Sequence, residues 1–285
     1  METAKVAAPM AGNKLYQRRA RAALPILVRQ AHVGTPMFYS DLAAELGMRN
    51  PRNLNYVLGS IGRTMKNLSK AWKQEVPAIQ CLVINKGTRL PGNGVGWFIT
   101  DRRDFGRLSR HQQRQIVNAQ LQKIFTFPDW EKVLGTLGLK SAVIGHQDAV
   151  DKASNFRGGG ESEHHKLLKE YVAVHPEILK LRSGLRGSIE YPLPSGDTID
   201  VLFQDSDEYL GVEVKSAISP ETDIIRGVFQ CIKYKAVLNA YLASREEPQN
   251  GRTVLVLGSA FPPHLNPLKH MLGVEVVANV KPQLT

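Results

Sequence analysis

Cysteine is nearly absent from this chain. Cys81 and Cys231 are the two thiols in 285 residues, too few for a disulfide scaffold or a cysteine-built zinc site. No apolar run is long enough to cross a bilayer, and no segment has the charged and apolar regions of a signal peptide, so a soluble, intracellular protein without a membrane partner is expected. Internal repeats are lacking, and the glycine triplet Gly158-Gly159-Gly160 is the one low-complexity tract. Acids are scarce in one half. Through Lys140 there are 22 Lys and Arg against 8 Asp and Glu, a net charge of +14, whereas the remainder has 15 against 18, a net of −3. Such asymmetry assigns most of the attraction for phosphates to the front half, although charge by itself does not separate DNA from RNA or an anionic membrane.

What is present in the front half is a readable series of helices. Lys14 to Gln30 is expected to be helical, with Arg18, Arg19 and Arg21 clustered and Leu24, Ile26, Leu27 and Val28 on the apolar side. A short helix, Asp41 to Leu46, follows Phe38-Tyr39-Ser40, and after Gly47 a longer one runs from Pro51 to Ala71. Two helices joined by a glycine-containing turn form the core of a helix-turn-helix, whose second helix enters the major groove. Arg52, Asn53, Asn55 and Tyr56 near the start of that helix, followed by Arg63 and Lys66, are the candidate DNA contacts. Pro77 to Ile84 and Val95 to Ile99 read as strands, joined by a Gly/Pro-rich loop carrying Lys86 and Arg89, the layout of a wing. A winged-helix DNA-binding domain is therefore expected over about residues 14–105. Residues 108–137 are helical in pattern, and 140–160 have the character of a linker. The implied organisation is a basic DNA-binding domain over 1–139, a linker over 140–160, and a second domain over 161–285.

In the second domain, Thr198 to Gln204 and Tyr209 to Lys215 are β-branched and aromatic runs, separated by Asp205, Ser206, Asp207 and Glu208. A turn centred between Ser206 and Asp207 sets Asp200 opposite Glu213. Lys215 then shares their face, because side chains two apart on a strand point the same way. Two carboxylates on rigid strands suit one or two Mg2+ ions, and a neighbouring ammonium can orient or help deprotonate an attacking water and offset transition-state charge. That combination fits phosphodiester hydrolysis. Upstream, Glu161, Ser162 and Glu163 start a helix whose stripe is Leu167, Leu168, Tyr171 and Val172. Of the adjacent His164 and His165, one can face the site while the other faces solvent. Downstream, Ser219-Pro220-Glu221 opens a helix to about Ala243, on which Arg226, Gln230 and Tyr234 form a polar stripe. Gly187 to Leu193, Arg252 to Gly258 and Val274 to Val280 complete a mixed sheet covered by helices.

Over about residues 160–260 this arrangement resembles the PD-(D/E)xK, or restriction-endonuclease-like, nuclease superfamily. Asp200 matches its strand aspartate, Glu213 and Lys215 its Glu-x-Lys, and Glu163 its helical acid, with Glu161 the alternative. Gln230 and Tyr234 look like the Gln-x-x-x-Tyr element of RecB-like members. Ile199 departs from the proline of the motif's name. The resemblance implies Mg2+-dependent cleavage of DNA, with Mn2+ able to substitute. Asp200, Glu213 and Glu163 would be metal ligands, Lys215 would place the water, and Gln230 would support the site. The expected α/β architecture is an N-terminal winged-helix domain plus a C-terminal restriction-endonuclease-like mixed β-sheet flanked by helices, acting on double-stranded DNA in the cytoplasm in association with the nucleoid. A homodimer and a role in restriction or phage defence follow by analogy. The alternative is a DNA-binding regulator whose nuclease-like domain serves dimerisation or ligand binding.

The front half is also distantly similar to the DNA-binding domain of alkylguanine alkyltransferases, through Tyr39-Ser40-Asp41-Leu42-Ala43 and the glycine-rich helix that follows. Their nucleophilic cysteine lies in Pro-Cys-His-Arg, whereas here the stretch is Gln80-Cys81-Leu82-Val83. Lacking an activating histidine, Cys81 is expected to pack as a small hydrophobe.

Overall fold

The computed structural model describes residues 7–99, 105–142, 151, 162–205, 208–245 and 251–282. The chain divides into two compact units, Met1–Ile144 and Gly145–Thr285. Most of the expected linker, including the three glycines, falls outside the described residues, as does Glu161 just beyond it. No helix among the described residues is long and apolar enough to cross a membrane.

The first unit is helical. Helix α1 (Leu15–Val33) buries Ala20, Ala23, Leu24, Leu27, Val28 and Ala31, a stripe at helical spacing. It ends at Gly34, whose φ of 72° is the left-handed cap that glycine adopts without strain. Its Arg29 makes a buried, two-pronged ion pair with Glu45, at 3.0 and 2.8 Å, on α2 (Tyr39–Glu45). The Asn50 side chain caps a 3-10 turn, Pro51–Asn53, that leads into α3 (Leu54–Trp72). Leu54, Val57, Leu58, Ile61, Met65 and Leu68 of α3 face the common core. Helices α5 (Arg110–Thr126) and α6 (Trp130–Thr136) close it with Val117, Ile124 and the fully buried Trp130.

The expected wing is not formed. Of the segment 77–84, Ile79–Leu82 is 3-10 helical, and Val83–Ile84 alone is strand (β2). That strand pairs in parallel with β1 (Met37–Phe38) and has no partner downstream among the described residues. Where the second wing strand was expected, Asn93–Val95 is a 3-10 turn running into a short helix, α4 (Gly96–Ile99). A five-residue apolar run has the same composition in a buried turn of helix as in a strand. Here the helical alternative is fixed from α3, because Lys66 Nζ donates to the Trp97 carbonyl at 2.7 Å and sits over the Phe98 ring.

The second unit is a five-stranded mixed sheet of order β3 (Ser188–Pro192), β4 (Thr198–Gln204), β5 (Tyr209–Lys215), β6 (Gly251–Leu257), β7 (Glu275–Val277). β3, β4 and β5 are antiparallel neighbours, and β6 and β7 continue in parallel. β5 is buried along nearly its whole length between β4 and β6, hence its near-continuous apolar reading. One face packs on α7 (Glu163–Val174), where Leu168 and Val172 meet Val201, Phe203, Val212 and Val214. The other packs on α8 (Glu221–Ser244), where Ile225 and Val228 meet Leu255 and Leu257. A last short helix, α9 (Asn266–Met271), leads into β7. The elements expected from the sequence in this unit are all present, with ends shifted by a few residues.

Candidate active site

The β4–β5 ladder holds through Val201↔Val212 and then opens. Beyond it, the Val214 amide donates to Asp200 Oδ2 at 2.8 Å, and the Val214 carbonyl lies 2.9 Å from His165 Nε2. Side chains thus take over the backbone groups that the missing ladder bonds would have satisfied. Asp200 and Glu213 flank this opening in the expected register. The result is a cleft of about 560 Å3, lined by both carboxylates and by residues of α7, β3 and α8.

Glu213 and Lys215 are 3% and 7% exposed, the two buried charges of β5. Lys215 Nζ donates to Glu213 Oε1 at 2.7 Å and lies 3.3 Å from Asp223 Oδ1, in the first turn of α8. Burial, and next the charge of Asp200, push the Glu213 carboxyl up to about 7, while Lys215 and His165 pull it down. Burial disfavours the Lys215 ammonium, but Glu213, Asp223 and Asp200 outweigh it and hold its pKa above the ordinary value. Lys215 is therefore a donor and a fixed positive charge. It is not a base at neutral pH.

Two glycines make room for this lysine. A Cβ on Gly227 of α8 would come within 2.8 Å of Leu255 Cδ1 and 3.2 Å of Lys215 Cε, so the helix crosses the lysine stem closely because position 227 has no side chain. A Cβ on Gly258 would meet the Ala217 backbone nitrogen at 2.6 Å, and the Gly258 amide donates to the Lys215 carbonyl at 2.9 Å.

Gln230 and Tyr234 line the cleft as the stripe on α8 predicts, as does Arg226. Gln230 Nε2 donates to the Tyr234 hydroxyl at 3.2 Å, while its buried Oε1 has no hydrogen-bond partner among the described residues. Burial first, then the Glu213 charge, raises the Tyr234 phenol and keeps it protonated.

Helix α7 contributes a different residue from the one expected. Glu163 is exposed and is not among the residues lining the cleft. The Ser162 hydroxyl caps the helix by accepting the His165 amide at 3.2 Å, which fixes the register so that His165 faces β5. Its Nε2 lies 3.5 Å from Asp200 Oδ2. Glu161, the alternative acid, lies outside the described residues. Asp223, Lys169 and Glu190 are cleft residues that the sequence reading did not single out as site groups, and of the two adjacent histidines it is His165 that faces the site. For His165 the signal was the serine that precedes it by three positions, a capping spacing that sets helix register.

Among the described residues, no group of three or more His, Cys, Asp and Glu side chains is arranged to hold a metal ion. The donors present still fit a hard cation that keeps several waters, a description of Mg2+ with one or two protein carboxylates. Two features support the fit. Burial first, and then the nearby charge of Asp200, raise Glu213, and the orphaned Gln230 Oε1 offers an acceptor to an ordered water.

In the first unit, Arg52, Asn53, Asn55 and Tyr56 are exposed together where the 3-10 turn enters α3. Arg63 is half-buried, and Lys66 is committed to Trp97 and Phe98. Lys86 and Arg89 are exposed and both lie over the Phe38 ring, 5.7 and 4.8 Å from its centroid. Cys81 is fully buried, and burial pushes its thiol up to about 12, which leaves no thiolate for nucleophilic chemistry. Comparison of the chain with protein-family models, curated proteins and solved structures gives no match.

Proposed function

We propose that this protein is a Mg2+-dependent DNA endonuclease, with a PD-(D/E)xK-like catalytic unit at residues 161–285 and a basic helix-turn-helix-like unit that brings duplex DNA to it. The observation that carries this reading is the cluster of Asp200, Glu213 and Lys215 at the floor of an open cleft, on two adjacent strands whose ladder parts there. A purely structural ion pair has little reason to place a second carboxylate where it raises the first.

Asp200 and Glu213 are the residues that would hold the ion. When bound, Mg2+ or Mn2+ supplies Lewis-acid polarisation of a phosphate oxygen and a more acidic water. Lys215, held cationic, donates a hydrogen bond to the attacking water or a phosphate oxygen and offsets charge that grows in the transition state. Gln230 Oε1 accepts from that water and orients it. His165 contributes by holding the Val214 carbonyl, and so the stretch between Glu213 and Lys215, in place. Tyr234 fixes the Gln230 amide.

DNA recognition is assigned to the exposed group Arg52, Asn53, Asn55 and Tyr56, with Lys86 and Arg89 on the loop beside β2 as further phosphate contacts and no strand-built wing. The test is incubation with supercoiled plasmid, with and without Mg2+, beside Asp200→Ala. Metal-dependent nicking that the variant lacks is expected. An absence of nicking above that background on any DNA or RNA substrate would end the nuclease reading and leave a DNA-binding regulator in its place.

A further inference from the structure

Glu190 occupies an unusual place. The β3–β4 ladder pairs Ile189 with Val201 and Tyr191 with Ile199, so Glu190 lies across from Asp200. In a regular strand its carboxylate would stand beside that of Asp200, a juxtaposition of like charges that destabilises a sheet. Instead, Glu190 has φ 53°, the left-handed region that β-strand interiors avoid. Its Oε1 accepts from Lys169 Nζ at 2.7 Å. The two partners are unequal: the Lys169 side chain is 4% exposed and that of Glu190 is 60% exposed. Both line the cleft that holds Asp200 and Glu213. A buried ammonium on a packed helix is thus covered by a solvent-facing carboxylate on an edge strand.

That inequality bears on which group moves. Lys169 follows Leu168 and precedes Val172 on the face of α7 that packs in the core, so its stem is fixed. Glu190 belongs to β3, which has no strand on its outer side among the described residues, and its side chain is the solvent-exposed member of the pair. An anion held in the cleft by further contacts of its own would exchange for it. Nucleic acid supplies such anions at close intervals, one about every 3.4 Å of axis per strand. A strand with its scissile phosphate at Asp200 and Glu213 therefore brings a neighbouring phosphate into the same cleft.

We propose that Lys169 is a second phosphate-binding group of this cleft, masked by Glu190 in the free protein and transferred to a backbone phosphodiester of the nucleic acid when the strand enters. This rests on the nuclease reading for the position of the scissile phosphate. Glu190 then serves as a place-holder. It accepts from the buried ammonium until substrate arrives, and it disfavours occupation by isolated anions. No bond is made or broken in the exchange.

The test reads binding without cleavage. The full-length protein is titrated into a short fluorescein-labelled duplex, with Ca2+ in place of Mg2+, across a series of KCl concentrations. Lys169→Gln is expected to reduce the slope of log affinity against log salt by about 0.9, the signature of one lost phosphate contact, and Lys169→Arg to retain it. Glu190→Gln, its fold checked by a melt beside the parent, is expected to tighten binding and steepen the slope by about the same amount, because the amide gives up the charge that competes with phosphate for the ammonium. In the Lys169→Gln background that gain should vanish, whereas removal of a merely repulsive charge would give the same gain in both backgrounds. An unchanged slope in Glu190→Gln, or strict additivity of the two substitutions, overturns the proposal. A protein that shows the expected slopes but never nicks plasmid refutes the hydrolytic reading alone. Nicking with unaltered slopes refutes the phosphate site alone.

Discussion

Asp200 holds Val214, the residue between Glu213 and Lys215, by accepting its amide N–H on Oδ2 at 2.8 Å. The carboxylate assigned to a metal therefore also replaces a missing rung of the sheet, and the two roles can be separated by substitution. Asp200→Asn keeps an acceptor for Val214, whereas Asp200→Ala leaves a part-buried N–H unpaired, at a cost of about 1–3 kcal/mol. The expected outcome is a near-native melting temperature for the asparagine variant and a lowered one for alanine. Plasmid nicking should fall by about 10²-fold or more in both, the loss that follows removal of one electrostatic contact to a transition state. Thermal melts alongside initial nicking rates check this, and an active Asp200→Ala protein would contradict the assignment.

Glu213 makes the stability of the metal-free protein depend on pH. Its carboxyl is raised from 4.5 to about 7, first by burial and then by Asp200, so between those values the folded state binds more protons than the unfolded chain. The contribution is fully present below the unfolded value and is lost as pH rises through about 7. Lys215, whose pKa is raised, stays charged across this window and does not cancel the trend. The melting temperature in EDTA should therefore be lower at about pH 8 than at about pH 5.5 by way of this group. Mg2+ has to meet a deprotonated Glu213, so its stabilising shift should be the larger at the higher pH. Equal Mg2+ shifts at the two pH values would show that Glu213 is not a ligand.

The parts of this site that were legible in the sequence are those fixed by local geometry. Asp200 and Glu213 could be set opposite each other because four residues separate two strands of strict pattern, and alternation then placed Lys215. The α8 stripe of Arg226, Gln230 and Tyr234 follows from helical spacing within one element. Lys169 and Glu190 were not legible as site residues, nor was it legible which of His164 and His165 faces the site, since these positions depend on how α7 packs against the sheet and on a left-handed residue inside a strand. Glu163 was misplaced for the same reason: a shift of one residue turns a helical side chain by about 100°. The wing failed differently. Val95 to Ile99 carries no periodicity that separates strand from helix, and the deciding contact, Lys66 to the Trp97 carbonyl, comes from a helix remote in sequence.

Gly227 offers a test of how tightly the lysine is held. Alanine in a helix interior is favoured over glycine by about 1 kcal/mol. Against this, its Cβ would press on Leu255 Cδ1 at 2.8 Å and Lys215 Cε at 3.2 Å, and overpacking costs about 1–3 kcal/mol. The second effect is expected to win. Gly227→Ala should be no more stable than the parent and should nick plasmid more slowly. A stabilised variant with full activity would mean that Lys215 has room to spare.

The first unit separates exposed from committed basic residues. Arg52 and Asn55 are exposed at the start of α3, whereas Lys66 is tied to the Trp97 carbonyl at 2.7 Å and to the Phe98 ring. Arg52→Ala is expected to weaken duplex binding, with a salt slope smaller by about 1 if the contact is to phosphate, and to leave the melting temperature unchanged. Lys66→Ala should do the reverse. It strips the α4 turn of its anchor, so the melting temperature falls while the salt slope holds. Anisotropy titrations at several salt concentrations, paired with melts of the same preparations, distinguish the two. If Lys66→Ala instead lowered the slope as much as Arg52→Ala, the DNA-facing surface of α3 would have to extend along the helix to its middle turns.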